Sequence, residues 1–404
     1  MGPSIPARRT GSGDRGDSSI PDDSPRTTAN TLSGPRGLWK ASVVDLTIGT
    51  GLERPEDEAR LAAARFNRHT FWCGQSGSGK TYALGVVLEQ LLLNTELPLL
   101  IFDPNADFTR LHQTRPGRDP DAVAAIEGSD VRILHSTRPE GERLHVTFTD
   151  LSAASKAAVL QLDPVADAEE YNVLLHVDAD HRTFTNETFL GSLRDSDDPG
   201  RQRLARRIEN LEVLEWELWS RGARSATQII DERPAVTVLD LGGFAHPAEP
   251  KVAALAMIEH LWNTRESRRP ILIVIDEAHN LCPPDPVSAV ERALTNRIIQ
   301  IAAEGRKFGL WLFVSTQRPT KIHPNVLSQC DNLGLMRMNA PRDLAELADV
   351  FGFVPEELLA RAASFTQGQA LFAGGFIGEP TLVQMGERLT EEGGSDVKVP
   401  LRPA

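Results

Sequence analysis

Gly74-Gln75-Ser76-Gly77-Ser78-Gly79-Lys80-Thr81 is a run of residues whose types and spacing suit the handling of a triphosphate. It follows the apolar Phe71-Trp72-Cys73 and opens a segment with helical spacing. Glycines in such a loop let backbone N–H groups close around the β- and γ-phosphates, and a helix beginning there turns its positive end toward the same anion. Lys80 then neutralises charge on those phosphates, and the Thr81 hydroxyl is placed to ligate Mg²⁺. A Gly/Ser linker can match this pattern by chance, but strand before and helix after are the context the chemistry requires.

A second set of residues completes the chemistry. Ile271 to Ile275 is an apolar run that delivers Asp276 and Glu277 at its C-terminal end, where ligands bind in open α/β sheets. In a phosphate-loop enzyme the first acid holds Mg²⁺, and the second is placed to polarise an attacking water. Two carboxylates ending a buried strand are costly without a cation. The next apolar run, Leu310 to Val314, leads into Ser315-Thr316-Gln317, and an amide at that strand tip can bond both the γ-phosphate and the water. Gln317 is therefore the expected sensor.

These residues need a scaffold that brings strand ends together. After the phosphate loop, a helix through about Leu93 puts Ala83, Leu84, Val87, Leu88 and Leu91 on one face. Leu97 to Phe102 is apolar on both faces and ends in Asp103; Val131–Leu134, Ala235–Leu239 and Leu333–Met336 are of the same kind. Such runs belong to parallel strands covered by helices, so the expected fold is α/β, a mostly parallel doubly wound sheet. Residues 68–150 and 231–386 form its two parts. Between them, 151–230 reads as a helical insertion, including one helix over Gln202–Trp219 with Leu204, Ile208, Leu211, Leu214 and Leu218 on its apolar face. Gln369–Ala373 and Thr381–Gln384 read as two further strands, and 387–404 as a polar tail. At the other end, 1–38 is rich in Gly, Pro, Ser, Arg and Asp and is expected to be disordered, with 39–67 a short lead-in that includes a strand-like piece from Ser42 to Ile48.

Composition sets limits. The chain carries a net charge of −13, which disfavours a broadly basic surface while leaving room for a local nucleic-acid track. Cys73, Cys282 and Cys330 are far apart, so small buried hydrophobes are expected in place of metal ligands or disulfides, and a reducing cytosol fits. No apolar stretch reaches the length of a membrane span, so no membrane partner is expected.

Taken together, the motifs carry a resemblance. Gly74–Thr81, Asp103-Pro104-Asn105-Ala106-Asp107-Phe108, Ile275-Asp276-Glu277-Ala278-His279-Asn280-Leu281, Glu304-Gly305-Arg306-Lys307-Phe308-Gly309, Thr316-Gln317-Arg318-Pro319 and Ile322–Cys330 follow the order and spacing of the HerA/FtsK-type motor ATPases, and the match is closest to the HerA branch. The resemblance implies a RecA-like P-loop core, ATP and Mg²⁺ as ligands with Asp103 in the nucleotide-binding set, a hexameric homo-oligomeric ring and DNA in its channel. It also implies an arginine acting on the neighbouring subunit's γ-phosphate; Arg306 matches that position, with Arg337 the second candidate. Two departures stand out. Only a short ordered stretch is expected before Phe71, where the family carries a β-barrel used in assembly and in binding a partner nuclease, and Asn105-Ala106-Asp107-Phe108 stands where the family prefers His-Gly-Glu-Tyr. Asp276-Glu277-Ala278-His279 also spells the signature of another helicase superfamily, but the Gln317 and Arg306 segments fit the HerA order. The implied function is a double-stranded-DNA translocase; the alternative is an ATPase scaffold that controls a partner effector such as a nuclease.

Overall fold

The computed structural model describes residues 44–137, 141–177 and 186–394. The tail over 1–38 and the last ten residues lie outside them. The described strands are β1 (Asp45–Gly51), β2 (Glu58–Ala62), β3 (His69–Cys73), β4 (Leu99–Asp103), β5 (Val131–His135), β6 (Glu142–Arg143), β7 (Val236–Asp240), β8 (Ile271–Ile275), β9 (Leu310–Thr316), β10 (Cys330–Met336), β11 (Gln369–Gly374) and β12 (Thr381–Met385). They form one sheet in the order β2-β1-β12-β11-β10-β3-β9-β8-β4-β7-β5-β6. From β10 to β6 neighbours run parallel; β11, β12, β1 and β2 continue the sheet antiparallel.

The central parallel strands β4 and β8 are buried on both faces because Leu99–Phe102 and Ile271–Ile275 are apolar at every position. In β8, Ile271, Ile273 and Ile275 enter one core while Leu272 and Val274 enter the other. In β3, Phe71 and Cys73 face the first core and Trp72 the second. Helix α1 (Lys80–Asn94) covers the second face. The first face is covered by the helices that follow α2 (Pro120–Glu127): the insertion, then α8 (Glu249–Asn263) and α9 (Ala289–Glu304). This is the expected doubly wound α/β sheet. The three cysteines are buried and free, and among the described residues no helix is long and apolar enough to cross a membrane.

The insertion between β6 and β7 is helical, built from α3 (Ala153–Val159), α4 (Ala168–Val177), α5 (Asn186–Arg194), α6 (Pro199–Asn210) and α7 (Ala226–Asp231). The single helix expected over Gln202–Trp219 is corrected. α6 starts earlier, with Asp198 capping its first N–H groups and Pro199 in its first turn, and it stops at Asn210. Glu212 adopts φ +50°, which ends any helical run, and Leu214 and Leu218 bury themselves from a short 3₁₀ turn and an extended piece bonded to Val146. Apolar spacing had registered their burial, not helix continuity.

Residues 387–394, of polar composition, pack against α1 and leave Arg388 fully buried.

β3 must sit close to β10 for the phosphate loop to be held. Trp72 lies against Phe313 and Phe372, with ring centroids 5.8 and 5.3 Å away, and its partner in register on β10 is Gly334. A Cβ at Gly334 would fall 2.4 Å from the indole. Gly334→Ala is expected to destabilise the fold by about 1–3 kcal/mol through overpacking, read as a lowered midpoint in chemical denaturation; an unchanged midpoint would contradict this packing.

Candidate nucleotide-binding site

Gly77 and Gly79 have φ of +72° and +88°, the left-handed values that let the chain curl between β3 and α1. The N-cap of α1 is Gly79, which has no side chain to occupy the first helical N–H groups. Those donors and the positive helix end face a cleft of about 970 Å³ lined by Gln75, Lys80, Thr81, Asp107, Glu277 and Gln317, among others. The loop is braced from β10's end. Gln75 N–H donates to the Arg337 carbonyl at 2.9 Å, Asn339 N–H to Gln75 Oε1 at 3.1 Å, and Arg337 Nη2 to the Gly77 carbonyl at 3.1 Å.

Adjacent strand ends converge on this cleft. Lys80 Nζ donates to Asp276 Oδ1 at 2.8 Å and to Ser315 Oγ at 3.1 Å, and lies 3.2 Å from Glu277 Oε1. Ser315 Oγ donates in turn to Asp276 Oδ1 at 2.7 Å. Burial lowers the Lys80 ammonium's affinity for its proton, but the charges of Asp276 and Glu277 outweigh that and raise it. For Glu277, burial pushes upward, yet the adjoining His279 ring and the Lys80 ammonium bring it down to about 2. Glu277 sits at φ +44°, a strained backbone for a non-glycine residue that turns its carboxylate into the cleft.

The carboxylates exceed the cations. Asp103, Asp107 and Asp276 each present an oxygen within 4.8 Å of the others. Burial, partly offset by the N–H groups of Phe108 and Asp107, leaves Asp103 up at about 7; burial and the Asp276 charge leave Asp107 at about 6. Asp276 Oδ2 is buried without a hydrogen-bond partner. Hard oxygen donors clustered around an orphaned buried oxygen fit a divalent cation such as Mg²⁺.

The expected residues are distributed as follows. Gln75, Ser76, Gly77, Gly79, Lys80, Thr81, Glu277 and Gln317 line the cleft; Gly74, Ser78 and Asp276 stand just behind its wall. Asp103 does not line it. Its two oxygens accept the N–H groups of Asp107 and Phe108 at 3.0 and 2.8 Å, shaping the loop that carries Asp107 inward. Asp107 Oδ2 accepts from Thr81 Oγ1 at 3.4 Å. Arg306 lies at the opposite, N-terminal end of β9, paired with Asp331 at 2.6 Å, whereas Arg337 reaches the phosphate loop of its own chain. Sequence reasoning gave no role to Asp107, Ser315 or His279. Asp107's place four residues beyond a strand-ending acid was the available signal, while nothing local marks Ser315.

Residues 46–256, just over half of the chain, match the protein-family profile described as the central domain of helicase HerA. The DNA double-strand break repair helicase HerA of Pyrococcus furiosus is 24% identical over 84% of this chain and 69% of its own length. The probable DNA double-strand break repair helicase HerA of Methanocaldococcus jannaschii is 30% identical over 131 residues, which cover 32% of this chain and 25% of that protein. The chain therefore spans only part of these relatives. Among solved structures, VirB4 of Thermoanaerobacter pseudethanolicus superposes with a TM-score of 0.54 at 14% identity, over 84% of this chain and 96% of that one. The bacterial conjugative coupling protein TrwB gives 0.54 at 12%, over 87% and 91%. At these identities the likeness is one of fold, the RecA-like P-loop architecture.

The acid cluster makes stability depend on pH in a defined direction. Asp103 and Asp107 have folded-state affinities for protons above the unfolded value of 3.8, so folding takes up protons between roughly pH 4 and 7. These two acids favour folding as pH falls from about 8 to 6, while His69, which burial holds down at about 4, opposes them, so the cluster's share is read by difference. In nucleotide-free, Mg²⁺-free protein Asp107→Asn should raise the melting point, and more at pH 8 than at pH 6; a gain that does not shrink as pH falls would refute the cluster's electrostatics.

Proposed function

Because the chain belongs to the HerA family, we propose that it is an ATP-hydrolysing motor that acts on double-stranded DNA as a homo-oligomeric, hexameric ring in the cytoplasm. The observation that carries this reading is the meeting of Lys80, Asp276 and Glu277 at the mouth of a phosphate-binding loop. Lys80 is held by the two acids, and a triphosphate in the loop would offer it a further anionic partner. The backbone N–H groups at the start of α1 and the Lys80 ammonium bind and orient the phosphates. Glu277, kept ionised, accepts a hydrogen bond from the attacking water, and Gln317 at the tip of β9 steadies water and γ-phosphate. Thr81, Asp276 and Asp107 would hold Mg²⁺, which supplies charge neutralisation between the phosphates when bound. Arg306, remote from its own cleft, is suited to serve a neighbour's.

Lys80→Ala is expected to lose nucleotide binding or turnover. Glu277→Gln should bind ATP and hydrolyse it about 10²–10⁴-fold more slowly. Steady-state hydrolysis should rise several-fold on adding linear double-stranded DNA at low salt, and this stimulation should fade as salt increases, since phosphate contacts release counterions. Turnover indifferent to DNA would favour instead an ATPase that controls a partner effector.

Arg306→Ala is expected to lose about 10³-fold or more in turnover, and mixing it with Glu277→Gln protein should restore part of the activity, because each variant supplies what the other lacks. Absence of any rescue would mark Arg306 as structural.

A further inference from the structure

His279 Nδ1 lies 3.1 Å from Thr316 Oγ1 and 3.2 Å from Glu277 Oε2, in a pocket that leaves the side chain 13% exposed. Thr316 is the last residue of β9, immediately before Gln317. Its Oγ1 accepts the Arg318 N–H at 3.0 Å, and its carbonyl accepts the Gly74 N–H at 3.4 Å. One ring nitrogen therefore stands between the Glu277 carboxylate, the strand tip that carries Gln317, and the base of the phosphate loop. The geometry points to His279 as a positioning residue that couples Glu277 to the tip of β9 and sets when that carboxylate is open to water. This rests on the reading of Glu277 as the group that polarises the attacking water.

The chemistry follows from the two tautomers of a neutral imidazole. With the proton on Nδ1, the ring donates to Glu277 Oε2 and holds the carboxylate in place. With Nδ1 bare, the ring accepts from the Thr316 hydroxyl, whose own oxygen already accepts from Arg318, and Glu277 Oε2 is left without a donor. That oxygen is buried and has no well-directed hydrogen bond in this structure, while the other, Oε1, lies 3.2 Å from Lys80 Nζ. A shift of β9's tip, where Gln317 meets the γ-phosphate, moves Thr316 and changes which partner His279 Nδ1 serves. A ring that only filled space would be coupled to neither.

The test measures steady-state ATP hydrolysis, equilibrium binding of a fluorescent ATP analogue and thermal midpoints on the full chain. His279→Ala and Thr316→Val are expected to lower kcat about 10- to 100-fold, the usual cost of losing an orienting partner, with analogue affinity and midpoint unchanged. The double variant should fall no further than the weaker single. His279→Asn, whose side-chain amide stands where Nδ1 does, should recover most of the lost kcat. Wild-type kcat in His279→Ala, equal losses of affinity and kcat, or independent losses in the double variant would overturn the coupling. Should His279→Ala fail to fold, Thr316→Val and His279→Asn carry the same comparison. Glu277→Gln measured alongside separates the two readings: wild-type hydrolysis there defeats the assignment of Glu277 itself, whereas an inactive Glu277→Gln with a fully active His279→Ala defeats only the role of His279.

Discussion

A single buried ammonium group holds the site together. Lys80 is 8% exposed and Asp276 1%, so each would bear a large desolvation cost alone, and their contact at 2.8 Å offsets it. The same ammonium serves Glu277 and Ser315, and so ties the start of α1 to the ends of β8 and β9. One positive charge cannot compensate every carboxylate around it. Burial first, with the neighbouring acids adding to it, raises the proton affinity of Asp103 and Asp107, and one oxygen of Asp276 is left without a partner. Binding that brings a cation to the acids and an anion to Lys80 would relieve both imbalances at once, and a ligand favoured in this way stabilises the fold by mass action.

The sheet order makes this convergence possible. β3 lies between β10 and β9, with β8 and then β4 beyond, and all five run in the same direction. Their C-terminal ends therefore present, along one edge, Arg337, the phosphate loop, Gln317, the Asp276-Glu277 pair and the Asp103 turn. Residues at the other end of the same strands are held away from the cleft. Arg306 precedes β9 and Arg68 precedes β3, and both approach Asp331 at the start of β10. A strand is five to seven residues long here, so the two ends are separated by the full thickness of the core, and no side chain spans it.

Much of this was legible in the sequence because the relevant signals are local. The doubly apolar runs of β4, β7, β8 and β9 read as covered parallel strands, and the phosphate loop and Asp276-Glu277 follow those runs directly. Signals that depend on tertiary partners were not legible. Leu214 and Leu218 share helical spacing with Leu204 and Ile208, yet Glu212 turns the chain between them. Asp103 and Asp107 are both acids near a strand end, and only the backbone bonds to Asp103 show that it folds the loop while Asp107 faces the cleft. Arg306 and Arg337 are each a lone arginine beside a strand in sequence, and which strand end each occupies decides whether it touches the phosphate loop of its own chain, as Arg337 does, or lies at the far end of the sheet, as Arg306 does.

The loop bearing Asp107 owes its place to a segment almost three hundred residues further along the chain. Glu89 of α1 accepts the N–H groups of Leu389 and Thr390 at 2.7 and 2.9 Å, and the Arg388 guanidinium lies beside the same carboxylate at 3.5 Å and over the Phe108 ring at 5.6 Å. Gly393 N–H then donates to the Asp107 carbonyl at 3.0 Å, at an approach so close that a Cβ on Gly393 would fall 1.8 Å from the Ala106 oxygen. The strap joins the helix that presents Thr81 to the loop that presents Asp107. Its cohesion comes from a buried ion pair and backbone hydrogen bonds, neither of which leaves an apolar pattern in the sequence. Removing one member of such a pair strands the other charge in the core, so loss of either Arg388 or Glu89 would loosen the link between the helix bearing Thr81 and the loop bearing Asp107.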